Sequence, residues 1–286
     1  MWTSEDFKDY EILDATDGMK LERFGDYILV RPDPQIIWST GKKHPLWNKY
    51  DAKYNRSSQG GGSWEIKKLP ETFNISYKNL NFILRPMNFK HTGIFPEQAP
   101  NWDYMMDLIK KQTRPIKVLN LFAYTGAATI ACASAGAAVT HVDAAKGIIA
   151  LAKENAKASG LLDAEIRYLV DDCSKFIERE IRRGNKYDAI IMDPPSYGRG
   201  PGGEVWKIEE LLYPLLLRCS EILKDDPLFF VLNSYSQGLS AMTMSYMLQV
   251  TVGSKFKNKV QAAETGLYVT TSGLYLPCGN TARVNN

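Results

Sequence analysis

From about residue 97 onward, short apolar runs alternate with helical stretches, and no other feature restricts the fold of this chain so strongly. Residues 116–122, 139–143, 164–170, 187–193 and 228–233 read as strands. The interior of the fourth, Ala189-Ile190-Ile191-Met192, is apolar on both faces, as in a strand covered from both sides. Residues 97–111 (once past Pro100), 127–135, 144–159, 173–183, 204–224 and 239–251 read as helices. Gly160 and Gly184 are their stop signals, and Pro214 is expected to kink the fifth. The tail, at 259–264, 267–271 and 274–276, reads as further strands that end the sheet. Such alternation needs crossover helices on both faces of parallel strands. The expected architecture is α/β: a doubly wound, mainly parallel sheet covered on both faces.

Residues 1–90 follow another rule. Asp17-Gly18 and Gly25-Asp26 are turn signals. Residues 27–30 form a short apolar strand, stopped by Pro32 and Pro34. Residues 57–63, with Gly60-Gly61-Gly62, read as a flexible link, and 73–77 with 80–84 as a hairpin about Lys78-Asn79. The expected division is a small β-rich N-terminal domain at 1–90, open to a substrate- or RNA-binding role, and a second domain at 91–286.

Composition narrows the classes. The chain has 286 residues, 44% apolar and 23% charged, enough for a sizeable core and too apolar for a disordered chain. No long uncharged apolar run exists, so neither a membrane span nor a membrane partner is expected. The polar, acidic start Met1-Trp2-Thr3-Ser4-Glu5-Asp6 is not expected to be a secretory leader, and a cytoplasmic location follows. Cys132, Cys173, Cys219 and Cys278 are far apart, and His44, His91 and His141 are scattered; neither a metal site nor a disulfide framework is expected. The net charge of +3 is unevenly spread. Ten basic residues stand against three acids between Gly41 and Lys90, with Trp47, Tyr50, Tyr54 and Trp64 among them. That stretch reads either as a solvated loop whose rings pack on the domain, or as a surface for nucleic acid.

In open parallel sheets, ligands bind at the carboxyl ends of strands near the switch in strand order. Four strand ends carry residues suited to that. Asn120-Leu121-Phe122-Ala123-Tyr124-Thr125-Gly126 places one glycine at a strand-to-helix turn, with Thr125 able to cap the helix. Asp143, about 20 residues on, and its neighbour Ala144 can meet a ribose. Asp171-Asp172, followed by Cys173, can accept from an amino group such as adenine N6. Asp193-Pro194-Pro195-Ser196 is rigid, and its carboxylate and carbonyl suit the amino group of a planar base, on which Tyr197 can stack. A dinucleotide fits poorly, because the first loop has one glycine where the pyrophosphate cradle needs three.

At these residues the chain resembles the class I S-adenosylmethionine-dependent methyltransferases, and more narrowly the branch related to bacterial 23S rRNA large-subunit methyltransferases. The matching segments are Val118 through Gly126, Val142-Asp143, Val170-Asp171-Asp172, Asp193-Pro194-Pro195-Ser196 and His91-Thr92-Gly93-Ile94-Phe95-Pro96-Glu97-Gln98. The resemblance implies S-adenosylmethionine as cofactor, with Asn120 and Phe122 to Gly126 toward its methionine portion, Asp143 and Ala144 at the ribose, and Asp172 or Asp171, with Cys173, at the adenine. Phe95 and Gln98 help close that site. Asp193, Pro194, Pro195, Ser196 and Tyr197 lie beside the methyl acceptor. It further implies that the sheet is Rossmann-like and seven-stranded, and that the substrate is RNA, ribosomal RNA above all. Relatives that methylate cytosine C5 need a cysteine on a strand-end loop, and residues 231–238 have none, so transfer to nitrogen or oxygen is favoured. A small molecule or a protein side chain as acceptor, a nicotinamide-dependent oxidoreductase, and a non-catalytic nucleoside-binding module remain open. Oligomeric state is not legible.

Overall fold

The computed structural model describes every residue except Glu5, Ser58, Gln59, Gly60, Pro201 and Gln237. It divides into two compact units, residues 1–100 with 265–278, and residues 101–264 with 279–286.

The first unit is built from β1 (Trp2–Thr3), β2 (Tyr10–Thr16), β3 (Met19–Phe24), β4 (Tyr27–Pro32), β5 (Ala52–Arg56), β6 (Gly62–Ile66), β7 (Phe73–Tyr77) and β8 (Leu80–Leu84). β2, β3 and β4 form an antiparallel meander, to which β5 adds in parallel and β6 antiparallel. β7 and β8 are the expected hairpin, with Lys78 in the left-handed region at φ 53°. Two expectations need correction. β4 runs on through Pro32 rather than stopping before it, because a proline is tolerated at a strand's last residue. The link expected at 57–63 is partly strand: Gly62 begins β6 and pairs with Arg56, while the rest of its glycine-rich stretch, Ser58 to Gly60, lies outside the described residues.

Two of the four aromatic rings of the basic stretch pack inward, and the other two are half-buried on the same unit. Trp47 and Tyr54 are buried. The Trp47 indole donates to Asp14 Oδ2 at 2.8 Å, and that of Trp64 donates to the Met87 carbonyl at 2.9 Å. Tyr50 donates to Glu65 at 3.0 Å beneath the Lys67 ammonium. The cations Lys42, Lys43, Lys49, Arg56, Lys67 and Lys68 stay exposed. At the centre of this unit Glu22 is fully buried, and Arg31 grips both its oxygens at 2.6 Å.

The second unit holds α1 (Ala99–Lys110), β9 (Lys117–Leu121), α2 (Ala127–Ser134), β10 (Ala138–Asp143), α3 (Lys146–Ala158), β11 (Ile166–Val170), α4 (Cys173–Arg183), β12 (Ala189–Met192), β13 (Tyr197–Arg199), β14 (Val205–Lys207), α5 (Ile208–Ile222), β15 (Phe229–Ser234), α6 (Ala241–Thr251), and one end each of β16 (Gln261–Val269) and β17 (Leu274–Asn285). Its strands run β11-β10-β9-β12-β15-β17-β16. β9 to β12 and β15 are mutually parallel, and β17 lies antiparallel on β15. This is the expected doubly wound, mainly parallel arrangement. β9 shows how the period of two builds it. Leu119 and Leu121 enter one core with α4, α5 and α6, while Asn120 points to the other face and donates to Thr129 of α2 at 2.9 Å.

Chain order reverses between β9 and β12. The chain steps outward from β9 to β10 and β11, then returns to β9's other side as β12. The crevice beyond the carboxyl ends of β9 and β12 is therefore the topological switch point.

The helix expected at 204–224 begins later. Val205, Trp206 and Lys207 form β14, paired antiparallel with β13, and α5 starts at Ile208 with Pro214 inside it. The three tail strands expected are two longer ones, β16 and β17.

Candidate active site

Leu121 pairs with Met192 on one side and with Val142 on the other, so Phe122, Asp193 and Asp143 emerge beside one another. The loop after β9 is strained. Phe122 and Tyr124 have φ of 53° and 49°, a region costly for side chains other than glycine's. Hydrogen bonds hold it there. The Phe122 N–H donates to Cys173 Sγ at 3.3 Å, that of Ala123 to the Val142 carbonyl at 3.1 Å, and that of Tyr124 to Asp143 Oδ2 at 2.8 Å. Gly126, at φ 84°, is the N-cap of α2, and Thr125 is not the cap expected of it. A Cβ on Gly126 would come within 3.0 Å of the Ala152 Cβ, so α2 and α3 close on its bare backbone. Asn155 fixes the loop from α3, donating to the Thr125 carbonyl at 2.9 Å.

Asn120 is buried. Its amide meets Thr129, whose hydroxyl lies 2.9 Å from His141 Nδ1. Cross-strand pairing sets Asn120 beside His141 and His141 beside Tyr168, which makes a polar row under the loop. Burial brings His141 down to about 3, so its imidazole is neutral at pH 7. Cys173 is buried too, and burial pushes its thiol well above the ordinary range. Its sulfur serves the loop as an acceptor.

Asp143 is half-buried. Beyond Tyr124 it accepts from the Ala145 N–H, at Oδ1 and 2.9 Å, and Ala144 follows it at the strand end. Burial raises its carboxyl above the usual value, and the backbone donors pull part of the way back. Asp171 is committed to Arg179 in an ion pair. Asp172 caps α4, accepting from Lys175 N at Oδ1 and 2.9 Å; its Oδ2 faces Gly200, where a Cβ would lie 3.3 Å away. Phe95 and Gln98 belong to the first unit, Phe95 against the His91 ring and Gln98 buried in a short 3-10 turn.

The Asp193–Ser196 corner is held from behind by residues that sequence reasoning missed. The Trp206 indole donates to the Pro195 carbonyl at 2.6 Å, and its ring lies against Phe122 with centroids 4.9 Å apart. Ile208 N donates to the Ser196 carbonyl at 3.1 Å, and the Ser196 and Ser236 hydroxyls are 2.7 Å apart. Asp193 is half-buried, Pro194 buried, and Pro195, Ser196 and Tyr197 exposed. Among the described residues, no three His, Cys, Asp or Glu side chains gather as metal ligands, and no helix is long and apolar enough to cross a membrane.

A family model described as S-adenosylmethionine-dependent methyltransferase matches residues 26–223. The chain belongs to the S-adenosylmethionine-dependent methyltransferases. Its structure superposes on the methyltransferase of that dependence from Agrobacterium tumefaciens with a TM-score of 0.93 at 38% identity, covering 99% of this chain and 92% of that one. A methyltransferase crystallised with S-adenosylhomocysteine shares the fold at 21% identity, with a TM-score of 0.72 over 99% of this chain and 76% of that one. Ribosomal RNA large subunit methyltransferase K/L of Magnetococcus marinus is 27% identical over 172 residues, 59% of this chain. The match spans only 21% of that relative's length.

The site's acceptors suit this methyltransferase cofactor. Among the described residues, Asp143 accepts from backbone N–H groups and meets no cation, which leaves lone pairs for uncharged hydroxyls. The glycine at position 126 keeps a side chain out of the turn below, and no pyrophosphate cradle competes.

Proposed function

We propose that this methyltransferase carries a methyl group from S-adenosylmethionine to a nitrogen of an RNA base, ribosomal RNA being the class its curated relatives are named for. One observation carries the reading. The Phe122–Gly126 loop and the Asp193–Ser196 corner leave adjacent strands at the switch point, and Trp206 ties one to the other. When bound, the cofactor supplies a methyl group already activated by a cationic sulfur.

The chain's own residues then bind and align. Asp143 accepts from the ribose hydroxyls with the lone pairs its backbone donors leave. Asp172 Oδ2 accepts from the adenine amino group, Asp171 being committed to Arg179. The main chain of Phe122 to Gly126 faces the methionine portion, and Asn120, Ala144 and Cys173 support these contacts from the strand and helix ends. Asp193 and the Pro194 carbonyl accept hydrogen bonds from an exocyclic amino group of the target. That orients its nitrogen lone pair and stabilises positive charge as it builds there. Pro195 and Ser196 keep the corner rigid, and Tyr197 stacks on the base. Alignment of this kind can supply roughly 7–11 kcal/mol of the barrier.

The cysteines support nitrogen over cytosine C5. Burial raises the thiols of Cys132, Cys173, Cys219 and Cys278 above the ordinary value, which disfavours a thiolate nucleophile. The exposed lysines of the first unit support RNA through phosphate contacts. The test is transfer of labelled methyl groups to ribosomal RNA from cells lacking the protein, followed by nucleoside analysis. An N-methylated nucleoside is expected. Label in 5-methylcytidine would refute the nitrogen assignment, and label in protein or small molecules alone would refute the RNA assignment.

A further inference from the structure

The β13–β14 hairpin follows the acceptor corner directly, and its two faces differ. Register sets Tyr197 opposite Lys207, Gly198 opposite Trp206, and Arg199 opposite Val205. Side chains opposite one another, and those two apart along a strand, share a face. The inner face is Gly198 and Trp206, the latter buried against Phe122. The outer face is Tyr197, Arg199, Val205 and Lys207, all four exposed, with Tyr197 at 55%.

We propose that this outer face is a binding platform for single-stranded RNA, on which Tyr197 meets the target base and Arg199 and Lys207 grip the backbone of the nucleotide next to it. The proposal rests on the reading of the chain as an RNA methyltransferase. The face joins a ring that can stack on a base to two cations that can meet phosphate. Among the described residues, the Arg199 guanidinium has neither a hydrogen-bond nor an ion-pair partner, so it is available. Among the described residues, the ion pair of Lys207 is with Glu210, three residues on and exposed, a pairing that an incoming phosphate can displace. The acid nearest the turn, Glu204, is directed away from the face, to Lys175 and the Gly202 N–H. Spacing agrees as well: two residues of strand set Arg199 about 7 Å beyond Tyr197. The target base sits at Asp193 and Tyr197, and the chain leaving it runs along the hairpin over Arg199. The hairpin's inner tryptophan fixes this platform to the corner, so gripping the neighbour also places the target.

The experiment uses the full chain and large-subunit RNA from cells lacking the protein, with filter binding at two salt concentrations beside turnover assays. Tyr197→Leu is expected to weaken RNA binding by about 5- to 100-fold, the range for a lost stacking partner. Arg199→Gln should weaken it severalfold and reduce the slope of log affinity against log salt by about 0.7. Val205→Glu, which sets an acid on the face without touching the corner, should raise the KM for RNA and leave kcat within twofold. All three should bind S-adenosylhomocysteine as the parent does. If the parent methylates RNA and Arg199→Gln and Val205→Glu bind it with the parent's affinity and salt slope, the platform is refuted and the functional reading stands. If the parent methylates only protein and the variants weaken that instead, both are overturned.

Discussion

Trp206→Phe separates alignment from binding. The substitution keeps a ring beside Phe122 and deletes the N–H that reaches the Pro195 carbonyl at 2.6 Å. A net hydrogen bond is worth about 0.5–1.5 kcal/mol, and leaving a partly buried carbonyl unsatisfied raises the cost toward 1–3 kcal/mol. The smaller ring adds a cavity, because Trp206 is only 7% exposed. Together these predict a loss of roughly 2–3 kcal/mol in urea unfolding. Function should fall by more than stability implies. A displacement near 1 Å at a reacting centre can cost about a hundredfold, so kcat should drop at least tenfold at a temperature where the variant remains folded. The proposed anchors of the cofactor, Asp143 and Asp172, share no hydrogen bond with Trp206 among the described residues, so affinity for S-adenosylhomocysteine by calorimetry should change less than threefold. Unchanged kcat in a destabilised variant would reduce Trp206 to a packing residue. Equal losses in kcat and cofactor affinity would place it in the cofactor site instead.

Three further outcomes are expected. Asp143→Asn should weaken S-adenosylhomocysteine binding by about 1–3 kcal/mol, because a hydroxyl loses its acceptor. Its carboxyl is raised by burial, and ribose hydroxyls favour the ionised form, so parental affinity should fall as pH drops into the acid range, from above the usual carboxylate value; calorimetry across pH should find that dependence gone in the variant. Asp193→Asn should abolish transfer while cofactor affinity stays within a few fold; joint loss of both would assign Asp193 to cofactor binding. Burial alone would raise the Glu22 carboxyl, but Arg31 and Lys20 bring it from 4.5 to about 2. The stability this lends is present above the unfolded value and is lost as pH falls through the folded one, an amount of roughly 3 kcal/mol. Acid unfolding of Glu22→Gln should lack that component between those values.

Most of the second unit's strands and helices were legible, as two-residue alternation, an unbroken apolar run such as that of β12, or a 3.6-residue period. α4 is the clearest instance: Asp172 caps it, Gly184 ends it in the left-handed region, and both stood in the sequence. The strand-end acids were legible too, since the apolar runs of β10, β11 and β12 stop on Asp143, Asp171 and Asp193. β13 and β14 were not. Val205-Trp206-Lys207 is too short to show alternation, and Glu204 ahead of it reads as part of the acidic first turn that Glu209 and Glu210 supply to α5. The clue was the glycine-rich stretch ahead of it, with Tyr197, Gly198 and Arg199 on its other side. The division of labour between Asp171 and Asp172 was hidden too, because it depends on Arg179, one helical face away. The rings of the basic stretch went either way on sequence; burial of Trp47 depends on Asp14, far along the chain, and that of Tyr54 on its pairing with Trp64 across β5 and β6.

A crystal structure of the chain with S-adenosylhomocysteine bound tests the central claim most directly. The account predicts both ribose hydroxyls within hydrogen-bond distance of the Asp143 carboxylate, and the sulfur between the Phe122–Gly126 loop and Asp193. A nucleoside bound away from Asp143, or a sulfur turned from the Asp193–Ser196 corner, would contradict it.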